Sequence, residues 1–200
     1  MKEIFSSIFH NNLWGGTESV SGPGSSIHES ARLIHYLPLL IELFEIRTML
    51  DAPCGDFHWM QHVPLSLDSY YGVDIVSEII EQNIQKYKKE PIQFFEKNIV
   101  QDDLPTSDLI LCRDALVHFD NEHIFETLKN FARSKSTYLL TTHFPHIKEN
   151  TNITVGNWRP LHYGLPPFSF GPPLLMIKES TQIKTMALWR IADLPLTNPS

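Results

Sequence analysis

Cysteine is scarce in this 200-residue chain, which has only Cys54 and Cys112, far apart in the sequence. Two isolated cysteines form neither a disulfide framework nor a zinc-binding spacing, so we expect a protein of the reducing cytoplasm. His58 and His62 are four residues apart, but no glutamate follows His58 as the zinc-protease motif requires. We therefore predict no metal site.

Long apolar runs are also missing. A membrane-spanning helix needs about 18 apolar residues, whereas the best candidate, residues 35–44, is interrupted by Pro38 and Glu42. The first 14 residues have no sustained apolar core, so they do not resemble a signal peptide. From these absences we expect no contact with membranes.

Positive charge is in deficit, with 16 Lys and Arg residues against 23 Asp and Glu residues and a net charge of −7. Surfaces that bind nucleic acid are usually basic, so we expect a small-molecule metabolite, such as one with a sugar hydroxyl, and no nucleic acid. Hydrophobic residues make up 42% of the chain, which is typical of a globular protein and not of disorder or repeats. At roughly 100–200 residues per domain, the length indicates one domain. The sequence does not indicate an oligomeric state.

Strand-like and helix-like patterns alternate along the chain. Five short apolar stretches are predicted strands: residues 47–51, 70–75, 92–96, 108–112 and 138–142. Helical periodicity lies between them, and this alternation predicts an α/β fold with a mostly parallel sheet and helices on both faces. Two more predicted strands, residues 174–177 and 186–191, would complete the sheet as a hairpin.

Cap and breaker residues place two of the helices. Ser26 and Glu29 form a capping-box pattern, which predicts a helix that begins after Ser26. Pro38 is predicted to kink or split this helix before Phe44. Asp120 is predicted to cap a second helix, because apolar residues recur behind it at helical spacing.

Four polar stretches follow the predicted strands: residues 51–57, 72–75, 98–100 and 112–114. A ligand of an open α/β sheet lies beyond the carboxyl ends of its strands, so we expect these stretches to converge on one site. Asp51 precedes a turn with Gly55, and glycine allows close approach of a ligand. Asp74 stands 23 residues after Asp51, a spacing typical of an acid that binds ribose hydroxyls. A plain turn and a helix N-cap are the structural alternatives for these residues.

Two segments resemble the Rossmann-like, class I S-adenosylmethionine-dependent methyltransferases: Leu50-Asp-Ala-Pro-Cys-Gly-Asp56 and Tyr71-Gly-Val-Asp74. The first motif of that family has three glycines, and here Pro53 and Phe57 stand in the first and third places. The resemblance covers about residues 45–145, and the flanks are similar to those of a bacterial subgroup. It implies a seven-stranded Rossmann-like sheet and methyl transfer from S-adenosylmethionine to oxygen or nitrogen of a small molecule, with S-adenosylhomocysteine as the product.

The resemblance also divides the single domain, residues 1–200, into parts. These are an N-terminal helical cap or arm (residues 1–45) and a cofactor-binding core (residues 46–143). A substrate lid (residues 144–173) and a terminal hairpin (residues 174–200) follow. Seven of the 14 prolines fall in residues 160–200, and the stretch after the fifth strand has little periodicity. Irregular segments of that length are usually lids or binding loops.

Cofactor contacts follow from the resemblance residue by residue. The methionine end would contact Asp51, Pro53, Cys54 and Gly55. The ribose would contact Asp74, and the adenine would contact Ile75, Asn98 and Ile99. Cys112 and Arg113 would form the floor beneath the sulfonium. Asn98 could instead be a turn residue, and Arg113 could form a structural ion pair with Asp114.

Methyl transfer to a hydroxyl needs a general base, and histidine titrates in the right range. His143, after the fifth strand, and His118, after the fourth, are candidate bases, with Asp114 as a third. Either histidine could instead be structural. Three aromatic or charged residues are candidate substrate contacts: Trp14 in the arm, and Trp158 and Arg159 in the lid.

Two other functions stay open at this point. The missing glycines are compatible with a non-catalytic cofactor-binding module or a partner subunit on the same fold. A nucleotide-sugar or NAD-dependent enzyme would use a similar sheet, although the missing glycines leave less room for a pyrophosphate.

Overall fold

A computed structural model describes residues 1–179 and 183–197. It contains four α-helices: α1 (Lys2–His10), α2 (Ile27–Leu43), α3 (Ser77–Tyr87) and α4 (Asn121–Arg133). The strands are β1 (Thr48–Asp51), β2 (Ser69–Asp74), β3 (Ile92–Glu96), β4 (Leu109–Cys112), β5 (Tyr138–His143), β6 (Leu175–Lys178) and β7 (Thr185–Arg190). The predicted hairpin is present as β6 and β7, and its residues 180–182 and 198–200 lie outside the described part.

All seven strands form one sheet in the order β3-β2-β1-β4-β5-β7-β6. β7 is antiparallel to both β5 and β6, and the other neighbouring strands are parallel. The chain moves outward from β1 to β3 and then returns to build β4 and β5 on the other side of β1. The order of strands therefore reverses between β1 and β4, which is where an open α/β sheet binds its ligand.

Apolar layers cover both faces of the sheet, as predicted. One layer contains Phe125 and Phe131 of α4, and the other contains Leu37 of α2 and Ile80 of α3. Every residue of β4 is buried, because this strand lies near the middle of the sheet and has packed side chains on both faces. The predicted mostly parallel, seven-stranded α/β fold is confirmed.

The predicted helix caps are present, whereas the predicted split at Pro38 is wrong. Ser26 accepts a hydrogen bond from the Glu29 amide at 3.3 Å, and α2 continues past Pro38 to Leu43. A proline inside a helix costs about 3 kcal/mol. Leu37 and Leu40 on either side of Pro38 are buried against the sheet, and each contributes about 1.5–3 kcal/mol, which outweighs that cost.

The segment of residues 144–173 contains no helix or strand, and it packs beside α4. Tyr163 and Phe168 in this segment are fully buried, and Phe168 contacts the ring of Phe125 at a centroid distance of 5.5 Å. The segment therefore fills the place of a helix on this face of the sheet. Its role as a substrate lid remains a prediction, and its position gives that role no support.

Candidate functional site

A cavity of roughly 970 Å³, counted with the space open to solvent, lies at the carboxyl ends of β1 to β4. The turns after these four strands form its floor, and α1 and the loop after it form its cover. The convergence expected from the sequence is therefore observed: Asp51, Asp74, Asn98 and Arg113 all line this one cavity.

Asp51 ends β1 with its carboxylate buried beneath the cavity. The hydroxyl of Tyr70 in β2 donates a hydrogen bond to Oδ2 of Asp51 at 2.6 Å. Burial nevertheless raises the pKa of Asp51 to about 7, because the charged form loses water and the Tyr70 bond only partly compensates. Asp51 is therefore a buried acid that is only partly ionised near neutral pH.

The turn after β1 depends on the backbone at Gly55 and Phe57. Gly55 has a φ of +54°, and a Cβ there would clash with Oγ of Ser21, so a larger residue would be strained and would displace this hydroxyl. Phe57 has a φ of 58°, which lies in the left-handed region that favours glycine. Its ring packs into the core against Tyr70 and Phe94 and does not line the cavity.

Asp74 ends β2 and is held by two backbone amides. Its Oδ2 accepts from Gly55 at 3.2 Å, and its Oδ1 accepts from Val76 at 3.0 Å. Burial raises the pKa of Asp74 to about 6, although these amide bonds act in the opposite direction. The carboxylate has a fixed orientation and faces the same cavity as Asp51.

The turn after β3 contributes Asn98 and Ile99 to the cavity. The side-chain oxygen of Asn98 accepts a hydrogen bond from the Val100 backbone amide at 3.0 Å. The backbone amide of Asn98 donates to the carboxylate of Asp102 at 2.7 Å. Asn98 therefore shapes this turn, and it lines the cavity as well. The carbonyl of Ile99 accepts from Asn130 of α4 at 2.8 Å, which fixes the turn to the helix behind it.

Two neighbouring residues at the end of β4, Cys112 and Arg113, differ in position. Cys112 is fully buried and does not line the cavity, and burial raises the pKa of its thiol far above the usual range. Arg113 lines the cavity and makes a two-pronged bond to Glu179, with distances of 3.2 and 2.8 Å. It also donates to the carbonyl of Gly24 at 2.7 Å, and its guanidinium lies 5.2 Å from the ring centre of Trp59.

Asp114 lines the cavity and completes a group of four buried or half-buried charges with Arg113, Glu179 and Lys184. The ammonium of Lys184 lies 2.6 Å from Asp114 and 2.9 Å from Glu179. Burial favours the neutral acid, but Arg113 and Lys184 together hold the pKa of Asp114 below its ordinary value. Asp114 is therefore an anion whose charge is already neutralised by protein cations.

His118 lies at the cavity wall, in a short turn after β4. Its Nδ1 is 2.9 Å from the carbonyl of Asn157, and because a carbonyl only accepts, Nδ1 carries the proton. The indole of Trp14 packs against its ring at a centroid distance of 5.0 Å. Burial lowers the pKa of His118, which keeps the imidazole neutral with an unprotonated Nε2.

His143, the other candidate base, is buried outside the cavity lining. Its ring lies 4.6 Å from that of His162 and 5.6 Å from that of Trp189, and Nδ1 accepts from the Tyr163 amide at 3.4 Å. Burial, assisted by the neighbouring His162, lowers the pKa of His143 to about 4. This position matches the structural alternative, that of a neutral histidine in an aromatic cluster.

The candidate substrate residues after β5 also lie away from the cavity. The ring of Trp158 is exposed on the surface, and Arg159 is buried behind the turn that carries His118. Arg159 donates to the carbonyls of Leu116 at 3.1 Å and Thr151 at 2.9 Å, so it holds two chain segments together. Trp14 does line the cavity.

The N-terminal arm covers the cavity and is anchored at several points. Met1, Phe5 and Phe9 recur at every fourth position of the chain and all line the cavity from above. Asp56 anchors the following loop, because its carboxylate accepts from Oγ of Ser19 at 2.9 Å and from the Val20 amide at 3.0 Å. The predicted helical arm thus contains a helix, α1, in addition to the one expected after residue 26.

Several residues of this site were missed by the sequence analysis. Asp56 stands inside the quoted motif, and its acidic side chain at a turn was an available signal. Glu179 and Lys184 are 66 and 70 residues away in sequence from Arg113 and Asp114, respectively, and no local pattern marks them. Phe5 lies in α1, and the apolar residues at every fourth position around it were also an available signal in the sequence.

Two further features are absent from the described residues. No group of three or more histidine, cysteine or acidic side chains there could hold a metal ion. Among the same residues no helix combines the length and the apolar character that crossing a membrane would require.

Comparison with known proteins gives similarity at the level of structure. No family model matches the chain, and no curated protein matches it significantly. Magnesium protoporphyrin IX methyltransferase (ChlM) from Synechocystis PCC 6803 with bound SAH superposes with a TM-score of 0.64 at 14% identity, over 94% of this chain and 97% of that one.

Two further solved structures are similar. The N-methyltransferase NodS from Bradyrhizobium japonicum WM9 has a TM-score of 0.58 at 13% identity, over 88% of this chain and 99% of that one. Human N-acetylserotonin methyltransferase in complex with SAM has a TM-score of 0.55 at 16% identity, and the match covers 92% of this chain and 65% of the longer human one. The chain therefore has the Rossmann-like fold of the class I S-adenosylmethionine-dependent methyltransferases, and the predicted resemblance is confirmed in its fold.

Proposed function

We propose that this chain is an S-adenosylmethionine-dependent methyltransferase that methylates oxygen or nitrogen of a small molecule. One observation carries the proposal: the carboxyl groups of Asp51 and Asp74, at the ends of adjacent strands, line one cavity on either side of the Gly55 turn. The similar structures with bound SAH and SAM support it, because they superpose on most of this chain and were solved with that ligand.

The donor set of the cavity fits the two polar parts of S-adenosylmethionine. Asp74 is positioned to accept hydrogen bonds from both ribose hydroxyls, and Asp51 to accept from the ammonium of the methionine end. Pro53, Cys54 and Gly55 would contact the methionine end through the turn, and these three residues line the cavity.

The adenine subsite would lie between the turns after β2 and β3. Ile75 and Ile99 supply apolar surface there, and Asn98 supplies a side-chain amide. Arg113 would form the floor near the sulfur, with its charge neutralised by Glu179. Cys112 is assigned no contact, because it does not line the cavity.

The chain's own catalytic group would be His118. When bound, S-adenosylmethionine supplies a methyl group that is activated by a positively charged sulfur. His118 has its proton on Nδ1, held by Asn157, so Nε2 is free to accept the proton of a hydroxyl acceptor. Asp114 would remain ionised beside it and stabilise the imidazolium that results, since its pKa is lowered.

The non-catalytic alternative receives little support from the motif itself. Phe57 adopts a φ of 58°, in the left-handed region that favours glycine, and its ring packs away from the cavity. The turn therefore stays open to a ligand even though two of the three glycines are absent.

Calorimetric titration with S-adenosylmethionine and S-adenosylhomocysteine tests the proposal. We expect saturable binding of both and a higher melting temperature, with about 2.7 kcal/mol of stabilisation at a ligand concentration 100 times Kd. NAD and a nucleotide sugar serve as comparison ligands. The absence of heat and of a melting shift with both adenosyl compounds would reject the proposal.

A further inference from the structure

We propose that the methyl acceptor is a neutral, planar aromatic molecule with a single hydroxyl, bound where the cavity is framed by Phe5, Trp14 and Phe119. This inference rests on the proposed methyl transfer and names the class of its acceptor. Its basis is the contrast between two parts of the cavity. The turns after β1 to β3, with Arg113 and Asp114 directly after β4, present the polar groups, whereas α1, the loop after it and the turn at residues 116–119 present aromatic rings.

The aromatic frame is continuous. The ring of Phe5 lies 5.8 Å from that of Phe119 and 6.2 Å from that of Trp14, and Trp14 lies 5.0 Å from the imidazole of His118. Flat aromatic ligands gain from such tilted and stacked contacts in addition to the burial of their apolar surface. The frame joins α1, the loop after it and the turn after β4, so a planar ligand would contact all three.

Few polar groups at this end are free to bind a ligand. Among the described residues, Arg113 is held by Glu179 and Gly24, and Asp114 is held by Lys184. The described residues form no hydrogen bond to Nε2 of His118, so this atom is available to one polar group of an acceptor.

A polyhydroxylated ligand would therefore be unfavourable here. Each buried hydroxyl without a partner loses its hydrogen bonds to water and gains none from the protein. A sugar brings several such hydroxyls, whereas an aromatic ring with one hydroxyl presents one polar group, whose proton Nε2 of His118 can accept. This replaces the sugar hydroxyl that net charge alone had led us to expect.

The neutral imidazole of His118 favours an acceptor whose hydroxyl is attached directly to its aromatic ring. As the acceptor oxygen takes the methyl group from the sulfonium, the electron pair of the carbon–sulfur bond returns to sulfur. The hydroxyl proton passes to Nε2 of His118, which later releases it to water. An aromatic hydroxyl loses its proton with a pKa of about 10, as tyrosine does, and this is within reach of a neutral imidazole.

The first experiment uses protein loaded with S-adenosylhomocysteine. The probes are three monohydroxylated aromatics of increasing size, para-cresol, naphthol and hydroxycoumarin, with aminonaphthalene and methyl glucoside as matched comparisons. We expect at least one aromatic hydroxyl compound to bind saturably to this loaded protein. In a separate assay without added S-adenosylhomocysteine, the same compound should accept tritium from methyl-labelled S-adenosylmethionine. Failure of all three to bind, or labelling of the amine or the glucoside instead, would overturn the inference.

Binding of S-adenosylhomocysteine is measured before any acceptor is added, which separates the two proposals. If S-adenosylhomocysteine does not bind, the proposed function itself fails. If it binds and the aromatic hydroxyl compounds do not, only the acceptor class fails.

Variants locate the acceptor within the cavity. Phe5→Ala should raise KM for the aromatic acceptor about tenfold and change the affinity for S-adenosylhomocysteine less than about twofold. His118→Gln should lower kcat about 100-fold and leave acceptor binding in place. Phe95→Ala, on the exposed side of β3, is the matched control and should change neither constant. Equal effects of Phe5→Ala and Phe95→Ala would contradict the proposed location.

Discussion

The backbone amide of Gly55 donates a hydrogen bond to Oδ2 of Asp74 at 3.2 Å, which connects the turn after β1 to the end of β2. The other oxygen of the same carboxylate accepts from Val76 at 3.0 Å. Both amides hold the carboxylate toward the cavity before any ligand binds. Such preorganisation reduces the entropy that a ligand would lose on binding.

Replacing Asp74 by asparagine should weaken the binding of S-adenosylhomocysteine. One end of an asparagine side chain donates and does not accept, so it cannot satisfy both amides and the ribose hydroxyls. Loss of charged hydrogen bonds of about 1.5–3 kcal/mol predicts a Kd about 10–100-fold higher in calorimetry. Asp103→Asn, at a fully exposed side chain, is the control. The same Kd in Asp74→Asn and the native chain would rule out the ribose role.

The contribution of Asp51 and Asp74 to the stability of the unliganded protein should fall as pH rises from about 4 to 7, while the lowered pKa of the buried His143 acts in the opposite direction. Burial raises the pKa of Asp51 from 3.8 to about 7 and that of Asp74 to about 6, so these two carboxyl groups bind more protons in the folded state than in the unfolded state in this range. Deprotonation therefore favours the unfolded state, at roughly 1.4 kcal/mol for each pKa unit. Urea denaturation at several pH values measures how the free energy of unfolding changes with pH.

Asp51→Asn provides the matched variant for this pH effect. Relative to the native chain, its free energy of unfolding should increase as pH rises from about 4 to 7 and stay higher at alkaline pH, where the native carboxylate is charged and buried. The attribution to Asp51 fails if the difference in unfolding free energy between the two proteins does not change with pH.

Binding of S-adenosylhomocysteine near neutral pH should release protons. The ammonium and hydroxyl donors of the ligand stabilise the ionised forms of Asp51 and Asp74, so binding lowers both pKa values and affinity rises with pH up to about 7. Calorimetry in two buffers with different ionisation enthalpies counts the protons. Identical binding enthalpies in the two buffers would contradict the prediction, and Asp51→Asn should release fewer protons than the native chain.

Glu179→Gln should destabilise the fold strongly. It leaves the buried guanidinium of Arg113 without the carboxylate that it contacts at 2.8 Å, and breaking such a pair costs about 3–5 kcal/mol. Glu126→Gln removes an exposed pair with Lys129, for which about 1 kcal/mol or less is expected. Chemical denaturation of both variants gives the comparison. Equal losses would show that the buried charge group contributes no more than a surface pair.

At Phe57, glycine should be tolerated better than alanine. Both substitutions lose the ring contacts with Tyr70 and Phe94, but only alanine keeps a Cβ at a φ of 58°, at a cost of about 1 kcal/mol. The order should be reversed at Phe125 in α4, where glycine is the less stable residue by about 1 kcal/mol. Melting temperatures of the four variants test both orders. A higher melting temperature for Phe57→Ala than for Phe57→Gly would contradict the backbone argument.

Patterns within short stretches were sufficient for most of the secondary structure. The cap at Ser26 and the apolar runs that became β1 to β5 are signals of neighbouring residues, and neighbouring residues form these elements. Asp51 and Asp74 were found for the same reason, because each is the last residue of its strand and the two strands are parallel and adjacent.

Contacts between distant parts of the chain settled the rest. Whether α2 continued through Pro38, whether His118 or His143 faced the cavity, and which carboxylate neutralised Arg113 all depended on segments 20 to 90 residues away. No local pattern encodes such pairings, because the free energy that selects them comes from burial and charge neutralisation in the folded molecule. The alternation of strands and helices was therefore enough to place a site at the sheet edge, and the packing of the arm, the hairpin and the segment after β5 chose the residues that face it.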